Sequence, residues 1–260
     1  MSRKIFFLAS ILFLSAAAAN AQTGREIMEW LDAANEPDTS HALVKMNIIE
    51  ADGSVKERVI EEWSALDTTG RKHRVIVFHT PASVRDTRFL VKENEDRDDD
   101  QWIYLPALRK VRRISASEGG DSFMGTEFSY DDLKSREIDD YSYTRLGDGE
   151  ALGYACWIVE SLPKAGTESQ YSRVLRWITR DREIMRTLRM ELFGEDEEIE
   201  KIFTVEKLEI VDSYWTPLSV LMKNTRTGRG TRLVQQRIEL DKPVNPRRFT
   251  TRYLETGRTE

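Results

Sequence analysis

The sequence predicts a mainly β fold in which an antiparallel meander curls into a barrel or half-barrel. Runs of alternating apolar and polar residues recur along the chain, and this period of two is typical of half-buried strands. Turn signals separate nearly all of these runs, roughly every 10 to 15 residues. Helical patterns do not alternate with the strands, which argues against a parallel α/β sheet.

One helix is predicted close to the start of the exported chain. Thr23 and Glu26 have the spacing of a capping box, and Pro37 ends the pattern. Between them the apolar residues recur at helical spacing: Ile27, Trp30, Leu31 and Ala34. The helix therefore has one apolar face to bury.

The period then changes to two, and turn signals such as Asp52-Gly53 and Thr69-Gly70 separate the runs. Neither an internal repeat nor a Pro-rich linker divides the chain, so residues 22–260 are predicted to form one domain. The predicted strands are 40–48, 55–67, 71–80, 88–92, 101–105, 110–115, 141–146, 155–163, 174–179, 184–193, 199–213, 218–224 and 232–240.

The composition excludes several classes of protein. Of 260 residues, 40% are apolar and 32% charged, which is typical of a globular domain rather than a disordered chain. The 39 basic residues are outnumbered by 45 acidic ones, giving a net charge of -6. This balance provides no electrostatic basis for wholesale binding of nucleic acid, so no nucleic-acid partner is predicted.

Residues 1–21 have the pattern of a secretory signal peptide. Arg3 and Lys4 precede a short apolar run, and Ala19 and Ala21 stand at the small-residue positions before cleavage. We therefore predict cleavage after Ala21 and export to the periplasm; an uncleaved anchor is the alternative. Cys156 is the single cysteine, so no internal disulfide is predicted in that oxidising compartment.

Motifs for catalysis, cofactors and metals are missing from the sequence, so no catalytic residue, cofactor or metal ligand is predicted. Ser122 follows a glycine pair and superficially resembles the serine of a lipolytic hydrolase, but its β-rich context disfavours that interpretation. His73 and His79 would need a further ligand to hold a metal. The acidic run 93–100 lacks the spacing of a calcium loop and is predicted to be a solvated hairpin loop.

The aromatic and aliphatic side chains predict a hydrophobic cavity, because a curled sheet fills its concave side with side chains, a helix or a ligand. The alternative is that they form core. Alternation places Trp102 and Tyr104 on one face together. The predicted ligand-binding residues are Trp102, Tyr104, Leu105, Phe123, Met124, Phe128, Trp157 and Trp177.

A glycine-containing loop, residues 115–132, is predicted to form a mobile apolar flap beside a basic strand. The alternative is a tight turn whose aromatic residues plug the barrel end. The basic strand is predicted to contact lipid headgroups or an acidic partner, with a solvated strand face as the alternative. Its cations are Arg109, Lys110, Arg112 and Arg113.

Two neighbouring blocks carry a resemblance to a known family. The block 102–114, WIYLPALRKVRRI, and the block 120–133, GDSFMGTEFSYDDL, resemble the outer-membrane lipoprotein-sorting (LolA-like) family, in its uncharacterised single-domain periplasmic branch. The resemblance covers essentially the whole exported chain. It implies an incomplete, half-open antiparallel β-barrel with an N-terminal helix and a helical or loop lid, as in LolA and LolB.

The resemblance also implies a function. Members of the founding branch carry lipoprotein acyl chains through the periplasm, so the expected ligand is a lipid or lipoprotein acyl chain. Members of this branch often accompany inner-membrane transporters of the RND type, so such a transporter or an outer-membrane acceptor is an expected partner. Two alternatives to a carrier remain, namely an accessory subunit of a membrane transporter that carries no cargo, and a periplasmic lipid hydrolase.

Overall fold

A computed structural model describes residues 22–95 and 97–260, and its main element is one antiparallel sheet of 13 strands. The predicted signal peptide lies outside the described residues. Two α-helices flank the sheet in the chain, α1 at Gly24–Asp32 and α2 at Thr251–Thr256. The strands are β1 Thr39–Ile49, β2 Val55–Leu66, β3 Lys72–Thr80, β4 Arg88–Lys92, β5 Asp100–Leu105, β6 Lys110–Arg113, β7 Tyr141–Ala151, β8 Tyr154–Pro163, β9 Arg173–Thr179, β10 Thr187–Phe193, β11 Ile199–Val211, β12 Tyr214–Asn224 and β13 Gly230–Leu240.

Each predicted strand is found, and its bounds differ from the prediction by more than two residues at only three ends. β7 continues through two glycines to Ala151, and β10 starts only at Thr187, because Ile184 and Met185 belong to the preceding turn. β12 starts at Tyr214 and includes Pro217. The pairing with β11 is irregular just beside this proline, and such a bulge tolerates a residue that has no N–H to donate.

The strand order confirms the predicted half-open barrel. The sheet runs from β6 through β1, crosses to β13, and continues down to β7, so β1 pairs antiparallel with β13. β6 and β7 form the two edges and do not pair with each other in the part of the chain that the structure describes. Because these strands are consecutive in sequence, the connection 114–140 must pass from one edge of the sheet to the other.

The first part of this connection, residues 114–133, packs its buried side chains against the inside of the barrel, and we call it the plug. Phe123 is 2% exposed, and its ring centroid lies 4.9 Å from that of Phe89 and 5.9 Å from that of Phe78. Tyr130 packs edge-on against Phe123 at 5.8 Å. We call the sheet face beneath the plug, which carries these two strand phenylalanines, the inner face.

The opposite face, which we call the outer face, is covered at one side by the C-terminal segment. Trp63, Val75 and Leu90 are buried there together with Tyr253 and Leu254 of α2. The sequence interpretation did not include α2. Its start is marked only by Thr250, whose side chain accepts a hydrogen bond from the backbone N–H of Tyr253.

α1 has the capping box predicted from the sequence, with the Thr23 and Glu26 side chains each accepting from the other residue's backbone N–H. The helix packs on the inner face, where its Ile27 is completely buried. Gly24 permits this approach, since a Cβ here would lie 2.8 Å from backbone atoms of Tyr143 and Thr144. α1 and the plug therefore share the inner face.

Candidate functional site

A hollow of about 790 Å³ lies on the inner face between α1 and the chain segment 135–139, and we call it the hollow. Part of its apolar lining comes from α1 and the turn that follows it, and consists of Met28, Leu31 and Ala34. These residues follow the helical spacing that buries Ile27 on the sheet, so they line the side of the helix next to that contact. The volume is within the range of about 300–1,000 Å³ that is usual for small-molecule sites.

The floor of the hollow contains a buried guanidinium. Arg176 alternates with Val174 and Ile178 along β9, so its side chain shares the inner face with theirs. It is 8% exposed, and its Nη1 donates to the Ser161 hydroxyl at 2.5 Å. Burial and, as a smaller cause, the charge of the nearby Arg136 together lower the pKa of Arg176 to about 10. Arg176 therefore still carries its positive charge at neutral pH.

Two tyrosines from β7 lie beside this arginine. Tyr141 and Tyr143 are two residues apart on one strand, and their ring centroids are 6.4 Å apart. Burial raises the pKa of Tyr143 to about 12, so the phenol keeps its proton at neutral pH. Neither hydroxyl has a hydrogen bond to any residue between 22 and 260 that the structure describes. Both are free to donate to a ligand.

A second hollow of about 740 Å³ lies on the other side of the segment 135–139, and carboxylates predominate among its charged residues. Asp99 from the β4–β5 loop contributes to this lining and accepts a hydrogen bond from the backbone N–H of Ser135 at 2.8 Å. Burial raises the pKa of Asp99, and the charge of Glu93 raises it too, whereas the hydrogen bond from Ser135 lowers it. The resulting pKa is about 6.

Asp99→Asn is expected to stabilise the protein at pH 8 and to leave it unchanged at pH 4. A carboxyl whose folded pKa is raised stabilises the fold below its ordinary pKa of 3.8, and this contribution is lost as the pH rises through about 6. Asparagine keeps the acceptor for Ser135 without a charge. After a discount for partial exposure we expect about 1 kcal/mol, measured by urea unfolding at both pH values.

The exposed neighbour Asp98 is the control for this experiment, since Asp98→Asn should change stability by less than about 0.5 kcal/mol. A gain at pH 8 that persists at pH 4 would rule out titration of Asp99 as its cause.

Comparisons with known proteins identify the family of this chain. The model of a family described as an uncharacterized protein matches residues 70–256, well over half of the chain. A crystal structure of a DUF1329 family protein from Desulfovibrio piger is 29% identical with a TM-score of 0.83, and the match covers 89% of this chain and 97% of that one. The chain belongs to the LolA-like family.

Two further structures agree with this assignment. A domain from Vibrio parahaemolyticus, provisionally named an outer membrane lipoprotein-sorting protein domain, is 28% identical with a TM-score of 0.82, over 89% of this chain and 98% of that one. A LolA superfamily protein from Nitrosomonas europaea shares the fold at 17% identity and a TM-score of 0.69, over 90% of this chain and all of that one. A search of curated proteins finds no match.

In this LolA-like barrel, three of the residues predicted to bind a ligand lie on the outer face. Trp102 and Tyr104 share a face as alternation requires, but they pack with the residues beneath α2. Trp177 alternates with Arg176 and so lies on the face opposite to it. The structure thus places these three residues away from the inner face, because alternation pairs residues on a face without saying which face is inside. Contact with a ligand stays a prediction for them.

Five predicted residues lie inside the LolA-like barrel and contact other side chains of the protein. Phe123 belongs to the plug and is buried, and Trp157 packs under α1 with its ring 5.7 Å from that of Trp30. None of the predicted residues lines the hollow. Contact with a ligand stays a prediction for this inner set: Leu105, Phe123, Met124, Phe128 and Trp157.

The plug is packed into the barrel, and this packing favours the alternative of a tight turn whose aromatic residues plug the barrel end. The mobile apolar flap stays a prediction. Met124 and Gly125 adopt positive φ values of 52° and 75°. This tight turn directs Phe123 onto the inner face. The Ser122 hydroxyl donates to the Thr126 carbonyl at 2.6 Å within the same turn.

The predicted basic cluster lies on the edge strand β6 and the turn before it. Arg112 pairs with Glu118 at 2.6 Å, and Arg113 pairs with Asp100. Arg109 and Lys110 are exposed and have no carboxylate within 4.0 Å among the residues that the structure describes. Charged side chains on an exposed edge also hinder pairing with another sheet, so this arrangement fits both interpretations given by the sequence.

The remaining sequence candidates are not brought together in the LolA-like chain. His73 lies near Asp67, with 3.5 Å between its Nε2 and a carboxylate oxygen, whereas His79 contacts Glu61 at 2.8 Å. Cys156 is completely buried, and burial raises the pKa of its thiol. None of the described helices is long and apolar enough to cross a membrane.

Proposed function

We propose that this protein is a periplasmic hydrophobe-binding protein that shields an acyl chain of a lipid or lipoprotein from water. The hollow between α1 and the inner face is the proposed binding site, and it is the observation on which the proposal rests. The Vibrio parahaemolyticus structure named for lipoprotein sorting has the same half-open barrel and supports this type of ligand.

The energetics of burial also favour such a ligand. Each methylene group moved out of water contributes about 0.8 kcal/mol, so a chain that covers Met28, Leu31 and Ala34 gains several kcal/mol. α1 touches the sheet mainly through its own apolar face. A helix held in this way can adjust to a chain inserted beside it at little cost in backbone hydrogen bonds.

Export and exchange of cargo complete the proposal. The predicted signal peptide leads to the periplasm, where a soluble carrier would exchange its cargo with an inner-membrane RND-type transporter or an outer-membrane acceptor. The hairpin between β5 and β6 suits such contact, because Leu108 is 62% exposed beside Arg109 and Lys110. Cations beside an exposed apolar residue fit an anionic lipid surface or an acidic partner.

Leu31→Glu should weaken binding of dodecan-1-ol at least about ten-fold, because a charge in the apolar wall must be desolvated when the chain enters. The measurement is isothermal titration with the full exported chain. The melting temperature should fall by no more than a few degrees, since Leu31 is only half-buried.

Ala33→Glu is the matched control, because it places the same charge on an exposed position of the same helix end. It should bind dodecan-1-ol as the native chain does. A native chain that binds neither this alcohol nor other single-chain amphiphiles would refute the carrier proposal and favour an accessory subunit without cargo.

A further inference from the structure

Arg176 has no structural partner that accounts for its charge. A buried cation normally has a counter-charge, because desolvation of a lone ion costs several kcal/mol. Here a single neutral hydroxyl, that of Ser161, accepts from the guanidinium. No carboxylate lies within 4.0 Å of Arg176 among residues 22–95 and 97–260. The same holds for Arg136, which lines the hollow above it.

We infer that Arg176, Tyr141 and Tyr143 form an anion subsite at the floor of the hollow, which takes the ionised acid head of a single-chain amphiphile whose tail lies along α1. This inference rests on the proposed function and specifies the chemical class of its ligand. The head can be a carboxylate or a phosphate, since both present oxygen atoms to a guanidinium in the same way.

The donors in the subsite suit an acid head better than a neutral one. A guanidinium carries five N–H donors in a planar fork, and one nitrogen of Arg176 is engaged with Ser161. The two phenols add O–H donors, and the raised pKa of Tyr143 keeps the proton on its hydroxyl at neutral pH. A set that contains donors and a positive charge but no carboxylate stabilises an anion by charge-assisted hydrogen bonds.

The tail has an apolar path next to this subsite. Tyr143 and α1 both line the hollow, and Tyr143 packs against the cluster that contains Met28 and Leu31. The head and tail sites are therefore continuous. A free inorganic anion would occupy only the head site, because it has no tail to contact α1.

The mouth of the hollow is acidic, but all except one of its carboxylates are paired with cations other than Arg176. Five of the six lie within 4.0 Å of Arg25, Arg71 or Lys72. The six are Asp32, Glu36, Glu93, Glu95, Glu137 and Asp139. Paired carboxylates at the mouth repel an entering anion less than free ones would, whereas the floor stays positive.

The experiment compares three probes at pH 8 by isothermal titration on the full exported chain. Dodecanoate supplies tail and charge, dodecan-1-ol supplies the tail alone, and inorganic phosphate supplies charge alone. We expect dodecanoate to bind at least about ten-fold more tightly than either of the others. In Arg176→Met, the affinity for dodecanoate should fall by about ten-fold while that for dodecan-1-ol stays within about two-fold.

Two further variants make the test independent of folding defects. Arg173→Met removes an arginine from the opposite face of the same strand and should leave all three affinities unchanged. Tyr143→Phe removes one phenolic donor and should weaken dodecanoate binding by a smaller factor than Arg176→Met. The melting temperature of Arg176→Met should be equal to or above that of the native chain, because an unpaired buried charge is replaced by an apolar side chain.

The outcomes separate the inference from the proposed function. If dodecanoate and dodecan-1-ol bind equally well, and equally in Arg176→Met, the anion subsite is overturned and the hydrophobe-binding function stands. If phosphate binds as tightly as dodecanoate, the assignment to an amphiphile is overturned. If neither tailed probe binds, the proposed function itself fails.

Discussion

Phe123→Ala is expected to destabilise the protein by about 3–5 kcal/mol, because it leaves a cavity between the plug and the inner face. The ring of Phe123 contacts those of Phe78, Phe89 and Tyr130, and each of these neighbours is itself buried. Urea unfolding should report this loss, and the melting temperature should fall by roughly 10 °C for a domain of this size.

Met124→Ala is the matched control, because Met124 is the next residue of the same turn and is only partly buried. We expect it to cost less than half as much. A loss below about 1 kcal/mol for Phe123→Ala would contradict the packed plug and favour the mobile apolar flap expected from the sequence.

Ile27→Asp is expected to detach α1 from the sheet and to abolish binding of a tailed ligand. Ile27 is completely buried against Trp157, Val159 and Ile178, so the carboxylate would be desolvated without a partner. Releasing the helix costs less than burying the charge, because α1 contacts the barrel mainly through this apolar face. The hollow then loses one wall and its affinity for dodecan-1-ol.

Amide hydrogen exchange measures this detachment directly. Protection should be lost in Gly24–Asp32 and retained in the central strands β1 and β13. Ile27→Val keeps the apolar contact and should cost only about 0.5–1.5 kcal/mol, with protection of α1 retained. If Ile27→Asp leaves α1 protected, the helix is held by contacts other than those of its apolar face.

Local signals in the sequence were sufficient for most of the strands. The alternation in Thr39–Ile49 follows directly from the burial of every second side chain, since Ala42, Val44, Met46 and Ile48 face the core. The capping box at Thr23 predicted where α1 starts. α2 was missed because six residues are too few for a helical period to stand out in the sequence.

The sequence analysis did not select Arg176, at the floor of the hollow, although the sequence around it contains a signal. In the strand around Arg176, the arginine occupies the face shared by Val174 and Ile178, and a charged residue between two inward-facing apolar ones is unusual. The sequence interpretation selected aromatic residues instead. Bulk alone does not separate a ligand wall from ordinary core, and Phe123 and Trp157 are both fully packed by protein atoms.

The local periodicity of the sequence is sufficient to predict the strand positions, the start of one helix, and the pairs of residues that share a face. Its similarity to the two blocks of the LolA-like family also led to the half-open barrel. Which face lies inside depends on long-range pairing, since β1 and β13 are adjacent in the sheet although they lie near opposite ends of the sequence. Side-chain alternation is the same on both faces of a sheet, so it does not tell which of the neighbours Trp102 and Ile103 points inward. The curvature of the sheet and the path of residues 114–140 across it place Ile103 on the inner face and Trp102 on the outer face.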